Sequence, residues 1–179
     1  VEKDKAIGSQ LGQAAGFLGI NMPGGGSKTD EAIAVMKSKE FLIKFIKENN
    51  VLQILYADIW DEKSKLWTVE NAKVPSMLDA YEDFNKLQTI LQDTTTSLVT
   101  FSLDWTDAAL ATHWTNKLVE ALNARMREKA IIKSEKNLTY LEYQLTKTQM
   151  IEVKRSIYQL IENEMKNMVY ANAQEEYTF

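Results

Sequence analysis

The sequence predicts an α+β protein in which a small α/β base carries a long, protruding antiparallel helical hairpin. All seven glycines lie before residue 27, so the residue that most often interrupts regular elements is missing from the rest. Residues 99–105 alternate apolar and polar side chains, as a half-buried strand does. From residue 107 to residue 179 there is neither glycine nor proline, which favours long helices.

Composition restricts the classes of protein to consider. Hydrophobic residues make up 45% of the 179 residues and charged residues 26%, which is typical of a soluble globular chain. The net charge of −4 gives no electrostatic reason to expect nucleic acid as a partner. The chain has no cysteine and one histidine, His113, so few groups suit acid–base or metal chemistry. We therefore expect no catalytic activity and no cofactor.

Glycine content and helical periodicity predict the domain organisation. Residues 1–28 read as a flexible, glycine-rich segment, and residues 29–179 as a single domain. Within that domain we expect a base formed by residues 29–122 and 173–179. Residues from about 123 to 172 are expected to form the helical hairpin.

The base begins with a helical pattern. Thr29 or Asp30 is a suitable N-cap, and apolar residues at helical spacing continue to Asn49, so we predict one helix there. A short apolar stretch leads to a polar loop between Trp60 and Trp67. Pro75 then suits the first turn of a second helix, which is expected to run from residue 76 to about residue 87.

A strand follows the second helix. Val99–Trp105 is the clearest strand pattern of the chain, and residues 87–91 are expected to pair with it. Asp107 is a strong helix cap, and the helix after it is predicted to reach about Lys147, roughly 60 Å at about 1.5 Å per residue. Its first half is apolar and should cover the strand, with Trp105 and Trp114 as anchors of the base.

The hairpin is completed by a second helix. Arg125–Lys136 is mostly charged, so we expect this part of the long helix to stand in solvent. The hydroxyls of Thr146 and Thr148 are predicted to cap a returning helix, whose apolar positions recur at intervals of three and four from Met150 to Met168. Glu175–Phe179 reads as a final strand that returns to the base.

Two groups of polar residues are candidates for binding chemistry. Carboxylates and aromatic rings near the polar loop could line a sugar cleft, although tryptophans more often cover a small core. These residues are Asp58, Trp60, Asp61 and Trp67. Asp104, Asp107 and His113 could form a metal site, but the spacing fits a helix cap better.

The hairpin carries candidate contacts between subunits. The charges Arg125, Arg127 and Lys133 fit either a solvated helix face or a subunit contact. We expect the returning helix to leave part of a leucine ridge uncovered, and this ridge would support self-association. The ridge consists of Leu138, Leu141 and Leu145.

Several collinear stretches resemble the periplasmic part of the Wzz-type chain-length determinants, the bacterial polysaccharide co-polymerases of lipopolysaccharide O-antigen assembly. The resemblance extends from about residue 24 to residue 179. The stretches are Ala34–Leu42, Trp60–Asp61 with Trp67, Thr106–Arg127, Tyr140–Leu145 and Glu175–Phe179. Many members of the family have Asp-Pro where this chain has Asp107-Ala108.

The resemblance implies a non-catalytic regulator of polysaccharide chain length. It implies a membrane-proximal base, ring-like homo-oligomers and the O-antigen polymerase as a partner, with lipid-linked polysaccharide as a candidate ligand. It also implies a location on the periplasmic side of the inner membrane. In that family two membrane helices flank the periplasmic region, and both would lie outside this sequence.

Two other functions stay open. A polysaccharide-export tyrosine autokinase has an extracytoplasmic sensor domain of this type, so that function is the first alternative. The second is a helical-hairpin adaptor of an envelope secretion or efflux complex. Such an adaptor normally carries a glycine-rich lipoyl-like domain, and residues 27–179 contain no glycine with which to build one.

Overall fold

A computed structural model describes most of the chain after residue 27. The described residues are 28–70, 73–93, 95–96 and 98–174. The expected glycine-rich segment and the expected strand over residues 175–179 lie outside them, apart from Lys28. Helices make up 69% of the described residues, and the strands among them form small antiparallel sheets. The fold is therefore broadly α+β, as the sequence predicts.

The described residues divide into two compact units. The first comprises residues 28–126, and the second begins at Arg127 and is described to Gln174. The first unit thus extends four residues beyond the expected end of this part of the base, at residue 122. Met126 is buried, and the Arg125 guanidinium bonds the Glu40 carboxylate at 2.8 Å, so the long helix packs in the first unit for one further turn.

Helices dominate the first unit. Four of the described helices lie wholly within it: α1 (Lys28–Met36), α2 (Lys39–Glu48), α3 (Val51–Leu55) and α4 (Met77–Leu87). The predicted single first helix is wrong, because it is divided into α1 and α2. The hydroxyl of Ser38 accepts a hydrogen bond from the Phe41 amide and so caps a new helix. Asn50 then takes a left-handed conformation, with φ of 51°, between α2 and α3.

Two short antiparallel strand pairs flank α4 in the sequence. Strands β1 (Trp60–Asp61) and β2 (Leu66–Trp67) pair, so the expected polar loop is a small β-hairpin. Strands β3 (Gln88–Gln92) and β4 (Val99–Leu103) pair over five residues, which confirms the expected pairing. A capping box between Ser76 and Asp79 starts α4.

One position at the start of α4 differs from the prediction. Pro75 precedes the N-cap, Ser76, and therefore lies outside the first helical turn where the sequence placed it. The helix begins after the proline because the Ser76 hydroxyl and the Asp79 carboxylate each accept a backbone N–H of the other residue.

A row of aromatic rings forms the centre of the first unit. Phe45 of α2 meets Phe84 of α4 at 5.7 Å between ring centroids, and Phe84 meets Trp114 at 5.7 Å. The Trp105 ring also contacts Trp114, with 5.4 Å between ring centroids. Trp114 is 1% exposed and Trp105 is half-buried, so Trp114 is the stronger of the two predicted anchors.

The two long helices are α5 (Ala108–Lys147) and α6 (Ile151–Ala173). Asp107 caps α5 as predicted, because its carboxylate accepts the amides of residues 109 and 110. The predicted threonine caps of α6 are wrong. The N-cap is Met150, whose side chain makes no cap, and Thr146 donates its hydroxyl to the Tyr143 carbonyl instead.

Over residues 28–70, 73–93, 95–96 and 98–174, no helix is both long enough and apolar enough to cross a bilayer.

Candidate functional site

The β1–β2 hairpin holds two tryptophan rings against each other. The Thr68 amide donates to the Ile59 carbonyl at 2.9 Å, so these two residues form a hydrogen-bonded pair. The adjacent pair, Trp60 and Trp67, is then of the non-hydrogen-bonded kind, in which opposite side chains come closest. Their rings meet edge to face, with centroids 4.9 Å apart, and both residues are half-buried.

Asp61 holds the turn of this hairpin. One carboxylate oxygen accepts the Lys63 amide at 3.0 Å, and the other accepts the Ser64 hydroxyl at 2.6 Å. The Ser64 hydroxyl, followed by the Lys63 amide, lowers the pKa of Asp61 below its ordinary value. The turn also includes Lys65 in a left-handed conformation, with φ of 56°. Both oxygens of this candidate sugar-facing carboxylate are therefore engaged in shaping the turn.

The other polar groups near the ring pair differ in their engagement. The Trp60 indole N–H donates to the Glu62 carboxylate at 3.0 Å, and Glu62 also pairs with Lys65. Lys65, followed by Trp60, lowers the pKa of Glu62. Asp58 lies exposed two residues before β1. The structure thus brings Trp60, Asp61 and Trp67 together in one hairpin, and Asp58 lies next to it in the sequence.

A polar layer joins α5 to α6 in the second unit. The Ser134 hydroxyl donates to one oxygen of Glu164 at 2.7 Å, and the Asn137 amide donates to the other at 2.8 Å. Ser134 is 5% exposed, and the other two residues are half-buried. At the C-terminal end of α6, the Arg127 guanidinium donates to the Gln174 carbonyl at 2.6 Å. These bonds establish that the two helices pair antiparallel.

Apolar layers accompany the polar one at intervals of seven residues. Seven residues after Ser134 and seven before Glu164 lie Leu141 and Ile157, and both are buried. Ala171, which is fully buried, lies seven residues after Glu164. We call these positions, together with Arg127, the inward rows of α5 and α6.

The predicted subunit contacts take different positions. Arg125 lies in the first unit on Glu40, Arg127 binds a backbone carbonyl, and Lys133 is exposed. Leu141 is 3% exposed, so the expectation of an uncovered ridge is wrong for this residue, because it occupies an inward position. Leu138 and Leu145 are half-buried.

Two surface rows on the hairpin were missed by the sequence reasoning. Since one residue turns a helix by about 100°, the residues that follow the inward rows lie on one flank and those that precede them on the other. In an antiparallel pair each flank combines the corresponding rows of both helices. The acidic–apolar flank has Glu128, Glu135 and Glu142 of α5 with Ile151, Tyr158 and Met165 of α6. The basic–tyrosine flank has Lys133, Tyr140 and Lys147 with Ser156, Asn163 and Tyr170.

The aspartates and the histidine of the suggested metal site have other surroundings. Asp107 caps α5, and Asp104 and His113 are exposed. Within the part of the chain that the structure describes, no group of three or more histidine and carboxylate side chains is placed to hold a metal ion.

Comparison of the chain with protein-family models, curated proteins and solved structures gives no match.

Proposed function

We propose that this chain is the periplasmic part of an oligomeric scaffold that regulates polysaccharide chain length, as the resemblance to the Wzz-type determinants implies. In this proposal the first unit is a membrane-proximal base and the α5–α6 hairpin projects into the periplasm. Membrane helices outside this sequence anchor the protein in the inner membrane, and the O-antigen polymerase is its partner. The role is one of geometry and not of catalysis.

The observation that carries the proposal is the difference between the two flanks of the hairpin. One flank presents three glutamates spaced seven residues apart, and the other presents two lysines, Lys133 and Lys147, with Tyr140 midway between them. Opposite charges on opposite flanks allow one copy to pack beside the next in the same orientation. Such head-to-tail contacts are heterologous, and they form a ring when the rotation closes.

Apolar side chains supply contact area on the same flanks. Ile151 is 77% exposed, Tyr158 60% and Met165 57%, and on the other flank Tyr140 and Tyr170 are also largely exposed. Exposed ion pairs contribute only about 0–1 kcal/mol each, so they would orient the contact while the apolar and tyrosine rows supply affinity. Tyrosine and methionine are favoured in the centres of protein interfaces.

The surroundings of the polar residues agree with a scaffold. Asp61 holds a turn, Asp107 caps a helix, and Glu164 joins two helices. Each of these carboxylates therefore has a structural role that depends on its bonds within the chain.

A charge-reversal series tests the contact. Changing Glu135 and Glu142 to lysine should weaken self-association about tenfold, since two exposed pairs become repulsive. Changing Lys133 and Lys147 to glutamate in the same chain should restore it. Lys136→Glu, on the outward face of α5, is the matched control. Sedimentation velocity over a range of concentrations gives the association constants. An association constant that changes in neither charge-reversal variant contradicts the proposed contact.

A cellular experiment tests the function. In the full-length, membrane-anchored protein, removing residues 138–144 together with 154–160 shortens both helices by matched segments, so the O-antigen length distribution on a gel should shift. Alanine at Asp58, Asp104, Asp107 or His113 should leave a defined length. Loss of length control from one of these changes, in a folded and oligomeric protein, contradicts the scaffold. At Asp58 such a loss would favour a sugar site at the β1–β2 hairpin.

A further inference from the structure

The turn between α5 and α6 lacks the usual signals that fix where a helical hairpin folds back. From residue 107 onward there is no glycine or proline. The N-cap of α6, Met150, makes no side-chain bond to the helix, and its amide reaches the Thr148 hydroxyl only at 3.4 Å. A helical hairpin with a permissive turn can shift its two helices relative to each other, so the register must be fixed elsewhere.

The apolar layers alone do not fix the register of α5 against α6. The inward rows repeat every seven residues, so a shift of α6 by seven residues again brings inward positions together. Such a shift could place Ala171 against Ser134, two small buried side chains that are compatible. Apolar packing changes little between two such registers when the total volume is kept.

The polar layer distinguishes the registers. The same shift would bring Glu164 against Leu141, and the carboxylate would lose the Ser134 and Asn137 donors. A half-buried carboxylate without donors is costly, because it has given up water without a replacement. A shift in the opposite direction would set the buried Ser134 hydroxyl against Ile157, where it loses the Glu164 acceptor. Glu164 would then face Arg127, and Arg127 would leave the Gln174 carbonyl, so in this register the cost falls on Ser134 and Gln174.

We infer that Ser134, Asn137 and Glu164 form a register lock, a single polar layer that selects one alignment of α5 with α6. A polar residue at one core position of a coiled coil has this effect, generally at some cost in stability. The lock also determines which residues of the two helices lie opposite each other on each flank of the hairpin. It concerns the folding of the hairpin and goes beyond the proposed function, because it holds whether or not the chain self-associates.

Thiol cross-linking of the full 179-residue chain can read the register directly, because the chain has no cysteine of its own. Glu142→Cys with Tyr158→Cys reports the observed register. Glu142→Cys with Met165→Cys reports the shifted register, since the second site lies about 10 Å further along α6. A short bismaleimide at low protein concentration, followed by mass spectrometry, counts cross-links within one chain.

With the lock intact, the observed-register pair should cross-link about tenfold more than the shifted pair. Glu164→Leu should bring this ratio close to one while helicity by circular dichroism is retained and the melting temperature is equal or higher. Glu164→Gln, which keeps an accepting oxygen, should retain most of the preference.

Several results would overturn the lock. One is a tenfold ratio that persists in Glu164→Leu with helicity retained. If Glu164→Leu loses helicity, the double change Ser134→Ala and Asn137→Leu removes the donors instead, and it should relax the ratio in a helical protein. Loss of helicity in that variant as well would mean that the layer stabilises the hairpin and does not select its register. The cross-links form within one chain, so a failure here leaves the charge-reversal test of self-association unaffected.

Discussion

Trp114→Ala is the sharpest test of the core of the first unit. The side chain is 1% exposed and contacts the rings of Phe84 and Trp105, with ring centroids 5.7 and 5.4 Å away. Burial of a tryptophan removes about 200 Å² from water, which at about 25 cal/mol per Å² corresponds to about 5 kcal/mol. The alanine methyl retains a part of this, so we expect the free energy of unfolding to fall by about 4 kcal/mol, within the range for large buried aromatics.

Urea denaturation followed by circular dichroism measures the loss. Trp105→Ala is the informative comparison, because that ring is half-buried and contacts Trp114 alone among the aromatic rings described; we expect about 2 kcal/mol. Leu66→Ala controls for the loss of an apolar side chain as such. Leu66 is 65% exposed, and its replacement should change stability by less than about 0.5 kcal/mol.

Two results would refute this reasoning. One is a loss of less than about 1 kcal/mol in the free energy of unfolding for Trp114→Ala, with the slope of that free energy against urea concentration unchanged. This result would mean that the ring is not buried in solution. A loss at Leu66→Ala as large as that at Trp105→Ala would mean that burial does not rank these positions.

Three further predictions concern hydrogen bonds in the first unit. Ser76→Ala removes the capping box of α4 and should cost about 1 kcal/mol in thermal unfolding. Burial, followed by the hydrogen bond to Asp83 at 2.7 Å, raises the pKa of Tyr56 above its ordinary value of 10.0. The contribution of the Tyr56 hydroxyl to the free energy of unfolding is therefore complete below about pH 10 and is lost as the pH rises above that. The stability difference from Tyr56→Phe should therefore shrink in alkali. Asp61→Ala should abolish the exciton circular dichroism of the Trp60–Trp67 pair, with Asp58→Ala as control. Because the pKa of Asp61 is lowered, the wild-type signal should weaken only as the pH falls below the ordinary carboxylate range.

Local patterns predicted the parts of the fold that local chemistry determines. The alternation of residues 99–105 identified β4, and the acidic cap at Asp107 identified the start of α5. The division between α1 and α2 was missed, because the apolar spacing continues across Ser38 and only the cap geometry shows the break. The start of α6 at Met150 was missed for the same reason. Thr146 and Thr148 are better capping residues than Met150, which the chain uses as the N-cap.

The candidate sites depended on contacts between distant residues, and here the sequence was less informative. Trp60 and Trp67 were singled out together, but their direct contact requires the strand register. Leu141 was expected on an open ridge because its exposure depends on the alignment of α6, which periodicity alone does not determine. The spacing of the flank rows was visible in the sequence, but their pairing required the Ser134–Glu164 contact.

The positions of the tryptophans allow the unfolding of the first unit to be followed separately. All four tryptophans lie in the first unit, at positions 60, 67, 105 and 114. The hairpin between residues 127 and 174 has tyrosines and no tryptophan. Indole fluorescence therefore follows melting of the first unit alone, whereas ellipticity sums over the whole chain. Superimposable transitions by the two probes would mean that the units unfold cooperatively, and separated transitions would mean that each has its own melting point.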